Sequence, residues 1–128
     1  KTYEIYKDIY KIIKDISEKH QTVILDCITL LVNNLMFTDG IDIDNASEEE
    51  INELEAYIQD QIKKLMEEVK KTDLYFVMVT NEIGLGVVPG YKLGRVYCDF
   101  VGRINQMLGK LSDEVYFVVC GIPTKIKG

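Results

Sequence analysis

The sequence predicts an α/β domain with a mostly parallel sheet flanked by helices, and three observations carry that reading. Short apolar runs rich in β-branched residues occur at residues 22–27, 74–79 and 115–120, the pattern of strands buried on both faces. Longer stretches with apolar residues at helical spacing alternate with them, as in a sheet with crossover helices. The chain has 128 residues, the size of one domain with a core of its own.

In chain order, residues 4–17 carry Ile5, Ile9, Ile12, Ile13 and Ile16 at helical spacing, so one face packs while the lysines face water. The first buried strand follows at residues 22–27 and closes on Asp26. Residues 29–37 read as an apolar helix broken by the polar pair Asn33 and Asn34. A turn-rich acidic loop spans residues 38–45, after which Ser47 and Glu50 have capping-box spacing. The helix they start is expected to reach about Lys71, with Ile51, Leu54, Ile58, Ile62, Leu65, Met66 and Val69 on one face. The second buried strand, residues 74–79, ends in Thr80, Asn81 and Glu82. A glycine-rich loop leads into a third long helix at about residues 91–111. A third strand, residues 115–120, is stopped by Gly121 and Pro123.

The net charge of −6, with lysines dispersed among acids, argues against nucleic-acid binding, which depends on clustered cations that neutralise phosphates. No apolar run reaches the ~18 residues of a membrane span and no signal peptide is seen, so a cytoplasmic location is expected. Cys27, Cys98 and Cys120 are far apart and unpaired in spacing, which reads as reduced, buried thiols.

Ligands of open α/β sheets bind beyond the carboxyl ends of the strands. Asp26 ends the first strand and Glu82 follows the second. An apolar strand ending in a carboxylate is the pattern of an acid that holds Mg²⁺ directly or through water. By itself it is more often the pattern of an acid placed against the positive end of the next helix. The loop with Gly84 and Gly86 lacks the GK[ST] of a phosphate loop and reads alone as a turn. His20, the one histidine, sits in a lysine-rich connection. No catalytic triad or metal-ligand cluster can be assembled around it.

Together the segments resemble one family, the bifunctional adenosylcobinamide kinases and adenosylcobinamide-phosphate guanylyltransferases of cobalamin biosynthesis. The resemblance is carried by residues 23–35 (VILDCITLLVNNL), residues 79–89 (VTNEIGLGVVP), Leu93 through Arg95 to Asp99 with residues 102–106 (GRINQ), residues 113–121 (DEVYFVVCG), the Lys125 to Lys127 tail and the opening Thr2-x-Glu4. It covers essentially the whole chain, in order. It implies a RecA-like P-loop-type fold and a homotrimer, with ATP or GTP, Mg²⁺ and adenosylcobinamide as reaction components. It also implies nucleotide contacts at Glu4 and Asp26, a metal role for Asp26, and a place for Asn81 and Glu82 on the active-site floor.

The departure from the family pattern concerns its beginning. In the family, the phosphate loop and a nucleophilic histidine precede a Trp-x-Thr-x-Glu element, and this chain opens inside that element. His20 lies after it and cannot take the nucleophile's role. The expectation is therefore a C-terminal part of one nucleotide-binding domain, residues 1–128, lacking the N-terminal strand and phosphate loop. It contains no catalytic residue of its own and is inactive alone. A non-catalytic nucleotide-binding or assembly module with the same fold is the alternative. Another P-loop kinase relative would share the strand-end acids but not the loop from Asn81 to Pro89.

Overall fold

A computed structural model describes all residues, 1–128. Three helices form the centre. Helix α2 is Ile28–Met36, helix α3 is Glu48–Lys70 and helix α4 is Lys92–Leu111. A short helix α1, Ile13–Ser17, follows a 3-10 turn at Ile9–Ile12. The strands are β1, Thr22–Asp26; β2, Tyr75–Val79; β3, Val115–Val119; and β4, Ile122–Lys127.

Helix α3 starts where its cap dictates. The Glu50 N–H donates to the Ser47 hydroxyl at 3.1 Å, and the Glu50 carboxylate accepts the Ser47 N–H at 3.5 Å. Glu48, Glu49 and Glu50 also place negative charge on the positive end of the helix. One stripe of α3 is buried through Ile58, Ile62, Leu65, Met66 and Val69, as its periodicity predicts, while Ile51 and Leu54 lie half-buried at its start.

The core joins that stripe to Ile28, Leu31, Val32, Leu35 and Met36 of α2 and to Phe100, Val101, Ile104 and Leu108 of α4. Each such side chain contributes about 1.5–3 kcal/mol by leaving water. Helix α2 passes unbroken through Asn33 and Asn34, contrary to the expected interruption. Both are half-buried, and the helix keeps its backbone pattern because the apolar residues around them occupy the core face.

Strands β1 and β2 pair in parallel, with Thr22 opposite Tyr75, Ile24 opposite Val77 and Asp26 opposite Val79. Leu25, Phe76 and Met78 point inward onto the helices. The expected burial on both faces is corrected. The burial alternates along β1, and Ile24 and Tyr75 are each 66 % exposed on the outer face. No other element of the described chain covers that face with paired strands, because the sheet has only two.

The run at residues 115–120 also departs from the parallel-sheet expectation. It forms β3, which pairs antiparallel with β4 in a separate sheet, with Val119 opposite Ile122. Cys120 and Gly121 occupy the two-residue turn with φ of 51° and 74°, the left-handed pair that a type I′ hairpin demands. Pro123 therefore does not stop the structure; it sits in β4, at the edge of a two-stranded ribbon, where its missing donor is tolerated.

The first helix is shorter than its isoleucine spacing suggests. Asp8 has φ of 54°, a left-handed residue that ends any continuous helix from residue 4. Residues 1–7 are exposed and carry no regular structure. The cysteines differ from expectation too. They are free thiols, with Cys27 and Cys98 half-buried and Cys120 exposed on the hairpin turn. No helix is long and apolar enough to cross a membrane.

Candidate functional site

Parallel pairing sends β1 and β2 out of the sheet on the same side, so their carboxyl ends form one edge. Asp26 stands opposite Val79 in the register, and Thr80, Asn81 and Glu82 leave β2 immediately beyond it. The structure thus brings Asp26, Asn81 and Glu82 to one end of the sheet, and all three are exposed. Glu4 lies in the exposed residues 1–7 and makes no hydrogen bond or ion pair with Asp26, Asn81 or Glu82.

Behind these side chains runs a connected set of polar contacts. The Asn81 amide donates to the Thr29 hydroxyl at 3.3 Å, and the Cys27 thiol and that hydroxyl approach to 3.1 Å. Thr29 is buried in the first turn of α2. Its carbonyl accepts the Tyr97 hydroxyl of α4 at 3.2 Å. The Asn105 side chain, also from α4, accepts the Thr80 hydroxyl at 2.7 Å and donates to the Asn81 carbonyl at 3.0 Å. Two helices therefore hold both strand exits by side-chain hydrogen bonds. Burial raises the Tyr97 pKa, with the neighbouring Cys27 and Cys98 thiols adding to the effect and the Thr29 bond opposing it. The phenol accordingly stays a neutral donor at physiological pH.

Glu82 folds back on its own loop, where its carboxylate accepts the Gly84 N–H at 2.7 Å. A Cβ at Gly84 would come within 2.8 Å of that carboxylate oxygen, so the glycine leaves room for the turn. Farther along, Gly94 in α4 lies under Pro89 and the Tyr91 ring, where a Cβ would meet atoms at 2.7 and 3.0 Å. That close approach seats the end of the glycine-rich loop on the helix. Arg95 donates to the Pro89 carbonyl at 3.4 Å from the same turn. Between these anchors the loop is bare: Leu85, Val87 and Val88 are among the most exposed apolar side chains, with Val87 96 % exposed.

The edge offers exposed carboxylates, an amide and backbone groups above a hydrogen-bonded floor. A carboxylate at such an edge has the chemistry to accept two hydrogen bonds from a planar base edge or to share in binding a hydrated divalent cation. No cluster of three His, Cys, Asp or Glu side chains has metal-binding geometry. One exposed carboxylate, Asp26, is nevertheless compatible with Mg²⁺, which usually keeps several waters and takes one or two carboxylates together with substrate phosphates. His20 takes no part in this edge; it follows α1, half-buried, and its backbone N–H donates to the Ile16 carbonyl at 2.9 Å.

Sequence reasoning missed Thr29, Thr80, Tyr97 and Asn105 as site residues. All four stand inside the segments that carried the resemblance, yet their contribution is a set of fold-dependent contacts across 24 to 68 residues. Only the paired strand ends reveal it.

Comparison with known families matches residues 1–126 to the family described as cobinamide kinase / cobinamide phosphate guanyltransferase. The chain is 35 % identical over 127 residues to the bifunctional adenosylcobalamin biosynthesis protein CobU of Escherichia coli (strain K12), covering 99 % of this chain and 70 % of that protein. The Salmonella typhimurium protein of the same name gives the same identity and coverage. The Pseudomonas aeruginosa protein CobP is 29 % identical over 112 residues, 88 % of this chain and 57 % of the relative. With the match spanning residues 1–126 and 35 % identity to the enteric proteins over nearly the whole chain, the chain belongs to the cobinamide kinase / cobinamide phosphate guanyltransferase family.

Proposed function

We propose that this chain supplies the strand-end half of a nucleotide site for cobinamide phosphorylation and for guanylyl transfer to the phosphate so formed. The observation that carries the reading is the convergence of Asp26, Asn81 and Glu82 at the carboxyl edge of the parallel pair, where α/β folds bind ligands. The family match supports the reaction class. In this reading Asp26 and Glu4 contact the nucleotide, Asp26 assists Mg²⁺, and Asn81 with Glu82 lines the floor. Mg²⁺, when bound, neutralises charge on the phosphates of GTP or ATP. This chain's own residues orient the nucleotide and hold a negative, hydrated edge beside it.

The reading assigns the phosphate cradle and the covalent nucleophile to a portion that these 128 residues do not contain, consistent with their spanning 70 % of the enteric relatives. It also includes a RecA-like completed sheet, a cytoplasmic homotrimer and no activity in the chain alone. The bare outer face of Ile24 and Tyr75, and the separation of the β3–β4 ribbon from β1–β2, support a sheet with further strands. The test joins this chain to the portion of the Escherichia coli relative that the match leaves out. Adenosylcobinamide and labelled GTP are then supplied with Mg²⁺. Phosphorylated and guanylylated products from the joined protein, and none from the chain alone, support the reading. Absence of both products from a folded joined protein contradicts it.

A further inference from the structure

We propose that Asn105 is a positioning residue that fixes the exit of β2 so that Asn81 and Glu82 face the same ligand as Asp26; its consequence for ligand binding rests on the nucleotide reading above. Past Val79 the chain loses its ladder partner, and residues 80–83 have no regular backbone structure. Asn105 replaces the ladder there. Its carbonyl oxygen takes the Thr80 hydroxyl at 2.7 Å while its amide donates to the Asn81 carbonyl at 3.0 Å. One planar side chain thereby grips two consecutive residues.

The grip is transmitted. With its backbone held, Asn81 directs its own amide to Thr29, 3.3 Å away in the first turn of α2. Tyr97, two helical turns before Asn105 on α4, holds the Thr29 carbonyl at 3.2 Å. The two strand exits are therefore clamped by one helix at two points, with Asn81 as the bridge between them. Glu82, the next residue, is turned by its bond from Gly84 at 2.7 Å.

The chemistry needs an asparagine. An amide offers an acceptor and a donor at once, whereas a carboxylate only accepts. Asn105→Asp therefore keeps the Thr80 contact and sets a negative oxygen against the Asn81 carbonyl. Asn105→Leu removes both contacts at similar volume, and Thr80→Val removes one from the other side. None of these residues is part of the apolar core.

The test measures backbone order by ¹⁵N relaxation in the 128-residue chain. It also measures Mg²⁺–GTP affinity in the protein joined to the remaining portion of the relative. In Asn105→Leu and Asn105→Asp the order parameters of Asn81, Glu82 and Gly84 should fall from about 0.85 to below about 0.6, while those of β1 and α2 stay rigid. Affinity should weaken about tenfold, with Thr80→Val giving a smaller change in the same direction. Unchanged order at residues 81–84 in Asn105→Leu and Thr80→Val overturns the proposal; if Asn105→Leu does not fold, Thr80→Val decides alone. Loosened residues with unaltered affinity also overturn it, since the clamp would then be structural only. If the unsubstituted joined protein binds no GTP, the nucleotide reading fails by itself, and the order parameters still decide whether Asn105 sets the β2 exit.

Discussion

Gln61 and Asp8, 53 residues apart, exchange two hydrogen bonds: the Asp8 N–H donates to the Gln61 side-chain carbonyl at 2.9 Å, and the Gln61 amide donates to the Asp8 carboxylate at 3.1 Å. Gln61 is one of two buried polar residues, so this pair ties the N-terminal segment to the middle of α3. Replacing Gln61 by Leu keeps the volume but strands the Asp8 backbone donor. A loss of about 1–2 kcal/mol is expected, measurable by urea unfolding.

The same pair makes stability depend on acid. Hydrogen bonds from Lys11 and Gln61 lower the Asp8 pKa below its ordinary value of 3.8. A depressed carboxylate stabilises the folded state above its unfolded pKa, and that contribution is lost as pH falls through the folded value. Glu114 behaves alike, held down by Lys125 at 3.2 Å and Tyr116 at 3.0 Å on the hairpin. Melting temperatures of the parent and Asp8→Asn should therefore differ at about pH 6 and converge below about pH 3. A constant gap across that range would show that the Asp8 charge plays no part.

Ser47→Ala removes the side-chain acceptor of the α3 cap. A loss of about 1 kcal/mol is expected, whereas Ser47→Asp should leave stability nearly unchanged. Thermal unfolding of the two variants side by side checks this.

Arg103 of α4 reaches Glu55 of α3 through two nitrogens, one of them at 3.0 Å. The Arg103 side chain is half open to water, so a double-mutant cycle with Arg103→Gln and Glu55→Gln should return about 0.5 kcal/mol of coupling that shrinks in salt. By contrast Phe100→Ala, at a side chain 1 % exposed in the core, should cost about 3–5 kcal/mol.

The long helices of this architecture are legible in the amino-acid sequence. The Ser47–Glu50 cap, the buried stripe of α3 and the extent of α4 follow from local spacing, whereas the left-handed Asp8 that shortens α1 and the unbroken run of α2 through Asn33 and Asn34 do not. The strands are legible in position but not in environment. Apolar runs at residues 22–27 and 74–79 suggest burial on both faces, yet Ile24 and Tyr75 are open because nothing in these 128 residues packs on that side. The hairpin is hidden by its turn. Cys120 and Gly121 adopt left-handed φ, and Pro123 has the sequence character of a terminator while occupying an edge strand. Asp26, Asn81 and Glu82 stand out as strand-end polar residues. Asn105 and Thr29 do not, since the contacts that place them span 24 and 52 residues.

The open outer face gives a prediction whose size depends on context. Ile24→Thr in the 128-residue chain should change stability by no more than about 0.5 kcal/mol, as for an exposed site. In the protein joined to the remainder of the relative, burial of that face should make the same change cost about 1–2 kcal/mol. Equal effects in both proteins would mean that nothing covers β1.

Calorimetry with GTP and Mg²⁺ on the joined protein and on its Asp26→Ala variant decides whether the carboxyl edge of β1 and β2 is a guanine-nucleotide site. Saturable binding by the parent, and its loss in a variant that melts at the same temperature, is the expected result. Binding undiminished by Asp26→Ala, or no binding by a folded parent, contradicts it.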